Sequence, residues 1–206
     1  MERSGVKTII LASQSPRRAR LLEQVRVRFE MLAAPSDDVE AEISARGLTP
    51  EQLAERLAEA KLDAAIALAP GNAVVLCADT IVVAPGGSIL GKPADAGHAE
   101  RMLRALSGAE HEVITAVALQ DTDTGRRRVF HERTAVVFRT LDDGEIARYA
   151  RSGHPLDKAG AYGIQGLAGA FVSEVRGCYS NVVGLPLARL AAALKQDFDF
   201  DITQNW

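Results

Sequence analysis

One carboxylate inside an apolar run is the first residue of this sequence to demand a chemical explanation. Asp79, with Thr80 after it, interrupts Ala73-Val74-Val75-Leu76-Cys77-Ala78 and Ile81-Val82-Val83. Burying a carboxylate is costly unless it is paired, hydrogen-bonded or bound to a metal. A divalent cation would compensate it and leave its second oxygen able to orient or deprotonate a water. The competing reading, an exposed break between two shorter strands, is the lesser of the two.

Three further runs supply groups that could surround such a carboxylate. Ser13-Gln14-Ser15-Pro16-Arg17-Arg18 sits where a strand hands over to a helix. A helix start offers free N–H groups and a positive dipole end, and here two hydroxyls and two guanidiniums stand beside it, an anion site by construction. Taken alone, the run reads first as an ordinary N-cap, Ser15, with solvated arginines. Lys61 follows Leu57 by four residues, which sets a cation beside the apolar stripe of a long helix, within reach of Asp79 or snorkelling to the surface. Asp157-Lys158-Ala159-Gly160-Ala161-Tyr162-Gly163-Ile164-Gln165-Gly166 carries glycines three apart. They would let backbone approach a ligand, and the Gln165 amide can accept from a base N3–H while donating to the neighbouring carbonyl. That suits uracil or thymine, although a flipped amide suits cytosine and a plain surface loop is the bland alternative.

Gly86 to Pro93 nearly spells a Walker P-loop. Pro93, however, stands where Ser or Thr must hold magnesium, and it keeps Lys92 out of helical geometry. A P-loop ATPase is excluded, and Lys92 is left as a phosphate contact from a turn. His98, His111, His131 and His154 show no ligand spacing and read as structural or solvated.

The elements that must position these groups alternate between short and long. Lys7 to Ser13 and Arg28 to Ala33 read as strands around a helix starting at Pro16 with Leu21, Leu22 and Val25 inward. Ser36 to Glu42 reads as an acidic loop. Thr49-Pro50-Glu51-Gln52 is a capping box opening a helix to about Ala69, with Leu53, Leu57, Ala64 and Leu68 as its stripe. Ala73 to Ala84 is a buried strand, followed by a turn at Pro85-Gly86-Gly87 and a helix with Ala99, Met102, Leu103 and Leu106 inward. Glu112 to Gln120 and Arg127 to Thr140 form an antiparallel hairpin about Asp123-Thr124-Gly125. Asp142 and Glu145 cap a helix carrying Ile146, Tyr149 and Ala150; a strand at Ala170 to Val175 and a helix from Pro186 to Gln196 complete the chain. This order predicts a mixed α/β fold, a twisted mixed sheet flanked by helices, built as one domain over 1–206 with two lobes and a central cleft.

Composition removes other classes. Of the 206 residues 47% are apolar and 25% charged, an ordinary globular balance. A net charge of -3 leaves no basic footprint for a nucleic-acid backbone. The two cysteines, Cys77 and Cys178, form no CxxC pair, which argues against a disulfide scaffold or zinc knuckle and for a reducing compartment. No run nears the roughly 20 apolar residues of a membrane span, and Val6 to Ala12 is too short for a signal peptide. The expectation is a cytoplasmic protein with no nucleic acid and no membrane among its partners.

The runs quoted above, with Ala78-Asp79-Thr80, Gly91-Lys92-Pro93, Leu106-Ser107-Gly108, His111 and Val183-Gly184-Leu185-Pro186, resemble in their order the Maf family of nucleoside triphosphate pyrophosphatases. The resemblance covers nearly the whole chain. It implies an inosine triphosphatase-like fold, Asp79 as general base, and Arg17, Thr80 and Gln165 as residues that help choose the base. Gly163-Ile164-Gln165-Gly166 and Asp157 to Tyr162 look like the branch acting on dTTP and UTP; the sister branch takes 7-methyl-GTP. In this reading a divalent cation, Mg or Mn, serves as cofactor. Ser13, Ser15, Arg17, Arg18, Lys61, Thr80, Lys92, Asp157, Lys158 and Gln165 meet the substrate. The family's acidic metal-binding pair is replaced here by Asp38-Val39-Glu40-Ala41-Glu42, which leaves Glu40 and Glu42 as alternatives beside Asp79. The resemblance also implies a homodimer, and it carries a rival role as a nucleotide-binding regulator of septum formation with little turnover.

Overall fold

A computed structural model describes residues 7–33 and 47–206. Among these residues seven strands form one sheet, in the order β2 (Phe29–Leu32), β1 (Thr8–Ala12), β3 (Ala73–Val83), β5 (Glu110–Asp121), β6 (Arg127–Phe138) and β7 (Val172–Arg176), with β4 (Ile89–Leu90) paired to β3, so the expected mixed α/β class is what the chain adopts. By packing density the chain divides into two compact units, residues 1–79, 116–131 and 184–206, and residues 80–115 and 132–183.

In the first unit β1 (Thr8–Ala12) lies between β2 (Phe29–Leu32) and β3 (Ala73–Val83) and runs parallel to both, Ile9 opposite Phe29 and Val74. Strands in a parallel sheet are apolar almost throughout when both faces of the sheet are covered, and β1 is buried at four of its five residues. Helix α1 (Pro16–Gln24) buries Leu21 and Leu22. Helix α2 (Pro50–Ile66) opens on a complete capping box, Thr49 accepting from the Gln52 N–H and Gln52 accepting from the Thr49 N–H. Its buried stripe is Leu53, Ala54, Leu57, Ala58, Leu62 and Ala65, which corrects the expected one at two positions. Ala64, inside the helix, is only half-buried at the edge of the stripe; Leu68 is exposed because after Ile66 the chain tightens into i→i−3 bonds, Leu68 N–H to Ala65 O and Ala69 N–H to Ile66 O, and leaves the helical period.

The turn between β5 (Glu110–Asp121) and β6 (Arg127–Phe138) falls where the sequence puts it, with Gly125 at φ 71°. Asp121 secures that turn by accepting from the N–H groups of Asp123 and Thr124 at 2.9 and 3.0 Å while pairing with Lys7. Burial raises the Asp121 carboxyl, but these donors outweigh it and hold the group below its ordinary value.

In the second unit β3 continues into a tight antiparallel hairpin with β4 (Ile89–Leu90), a two-residue strand invisible to periodicity. Helix α3 (Ala96–Leu106) buries the four expected residues, and α4 (Asp143–Arg151) carries the Asp142–Glu145 capping box. The strand expected from Ala170 starts later: Leu167–Phe171 is a 3₁₀ turn burying Ala168 and Phe171, and β7 is Val172–Arg176, antiparallel to β6. The i, i+3 eclipse of a 3₁₀ turn serves those two inward residues, whereas alternation in a strand would turn one of them out. The short α5 (Tyr179–Val183) was not read from the sequence, and α6 (Leu187–Phe198) follows Pro186 as expected. No helix among the described residues is long and apolar enough to cross a membrane.

The interior of this unit is aromatic. Phe138 meets His111, Tyr162 and Phe171 edge-on at centroid distances of 5.0, 4.8 and 6.0 Å. His111 Nε2 lies 2.8 Å from the Tyr162 hydroxyl, while Nδ1 has no hydrogen-bond partner among the described residues. Burial drives the His111 imidazole down to about 4 from its ordinary 6.5. The unfolded chain therefore takes up this proton between those values and the folded protein does not. Its contribution to stability is complete above pH 6.5 and is lost as pH falls through 4, on the order of 3 kcal/mol in total. Urea midpoints of the wild type and His111→Gln, compared at pH 7.5 and 5, should diverge, the wild type showing the steeper loss. Parallel pH dependences would remove His111 as the source.

Candidate active site

Alternation along a strand puts residues two apart on one face, so Cys77 and Asp79 of β3 look the same way. Asp79 is 6% exposed and pairs through Oδ1 with Nζ of Lys61. Lys61 reaches it from the margin of the buried α2 stripe, its side chain 15% exposed, so the snorkelling alternative does not hold. The buried-carboxylate reading of Asp79 is thus the one the fold adopts, with a lysine as its compensating partner.

Arg18 completes this cationic surround. Its Nε donates to the Gly184 carbonyl at 2.8 Å and its Nη1 to Ser13 Oγ at 3.1 Å. Burial lowers the Arg18 guanidinium below its ordinary value; Asp79 pulls it back up, and neighbouring Arg17 presses it down. At neutral pH it stays cationic. Burial pushes the Cys77 thiol up to about 12 against the pull of Arg18 and Lys61, so Cys77 is protonated at neutral pH and no nucleophile.

Ser15 occupies the N-cap position of α1, but its side chain makes no capping bond. The hydroxyl that serves this turn is Ser13 Oγ, which accepts from the Ser15 N–H at 3.2 Å and from Arg18. Ser13 is buried, while Ser15 and Arg17 are half-buried. The run is therefore more than a cap with solvated arginines.

The second unit holds the other expected residues. Lys158 donates to the His154 carbonyl at 2.6 Å and pairs with Asp157, so a phosphate must compete with both. Its stem crosses Gly163, where a Cβ would stand 2.8 Å from two of its carbons, so a larger residue there would displace the lysine from this path. Gly160, at φ 68°, donates its N–H to the Gly91 carbonyl at 3.1 Å and ties this loop to the residue before Lys92. Lys92 is exposed and no helix follows it before Ala96, in keeping with the exclusion of a P-loop. Gln165 is exposed on the glycine-rich turn. Thr80 stands 2.9 Å, hydroxyl to hydroxyl, from Thr115 of β5, a contact the sequence does not announce.

Glu40 and Glu42 lie outside the described residues. Among the described residues no group of three His, Cys, Asp or Glu could hold a metal ion, and the donor set around Asp79 is a single carboxylate. A single carboxylate of this kind would fit a hard cation such as Mg²⁺ if substrate phosphates and water supplied the other oxygens.

Residues 8–197 match the family described as Maf-like protein. A protein named dTTP/UTP pyrophosphatase from Pelotomaculum thermopropionicum is 49% identical over 191 residues, covering 93% of this chain and 97% of that one. Proteins of the same name from Anaeromyxobacter dehalogenans and Ralstonia nicotianae are 50% and 48% identical, each covering 91% of this chain and 93% of its own. With the match running through the Ser13–Arg18 turn, Asp79 and the Lys158–Gln165 loop, this chain belongs to the Maf family.

Proposed function

We propose that this protein is a nucleoside triphosphate pyrophosphatase, hydrolysing dTTP and UTP to the nucleoside monophosphate and pyrophosphate. The observation that carries the reading is the Asp79 carboxylate, buried in β3 and met there by Lys61 with Arg18 close enough to feel its charge. The names borne by its relatives support the substrate and the bond cleaved.

Phosphoryl chemistry depends chiefly on positioning and charge neutralisation. Asp79 orients a water toward the α-phosphorus and accepts its proton as the new P–O bond forms. The bond from that phosphorus to the bridging oxygen breaks, and the electron pair leaves with pyrophosphate. Lys61 holds the carboxylate in place. Ser13, Ser15, Arg17, Arg18 and Lys92 take phosphate oxygens, and Lys158 joins them by exchanging Asp157 for substrate. Thr80 and Gln165, with Arg17, select the base. Asp79, with Glu40 or Glu42, would hold a divalent cation, Mg or Mn, which would supply neutralisation of the triphosphate charge. We place the enzyme in the cytoplasm as a homodimer of one catalytic domain, acting on a small nucleotide.

Incubation with UTP, dTTP, CTP and 7-methyl-GTP in the presence of magnesium or manganese, followed by product identification, tests the reading. The expected products are UMP or dTMP with pyrophosphate. Nucleoside diphosphate with free phosphate would instead make it a phosphatase acting at the γ position. Tight nucleotide binding without turnover would leave only the regulatory role, and preference for 7-methyl-GTP would move it to the sister branch.

A further inference from the structure

We propose that Thr115 and Asn181 are positioning residues that convert the Thr80 hydroxyl into a fixed hydrogen-bond acceptor, and that this acceptor is what rejects cytosine. The inference rests on the reading above, in which Thr80 and Gln165 meet the base of a pyrimidine nucleoside triphosphate.

A hydroxyl has one proton to donate and two lone pairs that accept. Thr115 Oγ1 lies 2.9 Å from the Asn181 backbone carbonyl, an atom that can only accept, so the Thr115 proton is directed there. Thr80 Oγ1 stands 2.9 Å from the same Thr115 oxygen and must then be the donor of that pair. Its own proton is directed away, and the Thr80 oxygen meets its other partners as an acceptor.

The arrangement resists rotation because it is buried and bonded on every side. Thr115 and Asn181 are both fully buried. Asn181 Oδ1 accepts from the Thr115 N–H at 3.1 Å, and Nδ2 donates to the Val113 carbonyl at 3.0 Å and to Thr134 Oγ1 at 2.9 Å. Thr134 in turn donates to the Cys178 carbonyl and accepts from the Cys178 N–H. Turning the Thr115 proton toward Thr80 would take a bond from a carbonyl that water does not reach. Thr80 is half-buried where the other residues of β3 are buried, so its hydroxyl, like the Asp79 carboxylate before it, can be reached by a ligand.

Uracil and thymine present an N3–H donor, whereas cytosine presents a bare N3 lone pair at the same place. A locked acceptor pairs with the first and opposes the second, which is discrimination by repulsion. Gln165 cannot supply it alone, because an exposed amide can turn either end to the base.

The test is kcat/KM for UTP, dTTP and CTP in the wild type, Thr115→Val and Thr115→Ser, with thermal melts to confirm folding. Thr115→Val frees the Thr80 proton to point at cytosine N3; the UTP-over-CTP preference should fall at least about tenfold, with CTP hydrolysis rising in absolute terms. Thr115→Ser keeps the hydroxyl and should keep the preference. If Thr115→Val does not fold, Thr115→Cys takes its place with the same expectation, since a thiol is a weak acceptor. An unchanged ratio, or an equal loss on all three nucleotides, in a folded variant overturns the proposal. A wild type that hydrolyses none of them defeats the parent reading instead, before any variant is compared.

Discussion

Asp79→Asn is expected to lower turnover of UTP and dTTP by roughly 10²–10⁴-fold, the usual size of a general-base contribution, while nucleotide binding persists. The substitution keeps the shape of the side chain and a carbonyl oxygen for Lys61, but an amide cannot take a proton from water. Removing a negative charge beside Lys61 and Arg18 also leaves both cations freer to meet a triphosphate, so KM should hold or fall as kcat collapses. Steady-state kinetics on a variant shown to be folded by its thermal melt decide the matter. A kcat within a few-fold of wild type would take Asp79 out of the chemistry.

Asn181→Leu is the substitution expected to cost most in stability, on the order of 3–5 kcal/mol, a large share of the roughly 5–15 kcal/mol that holds an ordinary domain. Leucine approximates the volume but can neither accept from the Thr115 N–H nor donate to Val113 and Thr134, and these groups lie where water does not reach them. Each bond lost leaves a buried polar group short of a partner, and such penalties exceed what the same bonds contribute when intact. Urea denaturation should show a lower midpoint at unchanged slope. A loss below about 1 kcal/mol would mean the neighbouring groups find other partners and the network is not what ties α5 to β5 and β6.

Legibility followed the range of the interactions concerned. The boxes at Thr49–Gln52 and Asp142–Glu145 appear where they were expected, because both halves of each motif lie within one turn of helix. The α3 stripe was equally plain, its four inward residues repeating at helical spacing. Leu68 falls beyond the helix because the chain turns by i→i−3 bonds from Ile66 on, ahead of the Pro70-Gly71 stop, and an apolar period does not show where that tightening begins. Ser15 was named as the capping hydroxyl, but Ser13 serves the turn, since Arg18 holds the Ser13 hydroxyl there and nothing in the sequence discloses that bond. Lys61 reads from the sequence alone as a surface residue, and only the position of β3 beside α2 makes it the partner of Asp79.

By itself the sequence determined that a carboxylate would be embedded in a buried strand and to which family the chain belongs, because burial pattern, caps and ordered motifs are written within short windows. Tertiary structure alone decided which cation answers Asp79 and which way the Thr80 proton points. The bonds of Asn181 that settle the second question join residues 66, 68 and 47 positions apart. Hydrogen-bond direction is a property of who stands next to whom in space, and no local pattern carries it.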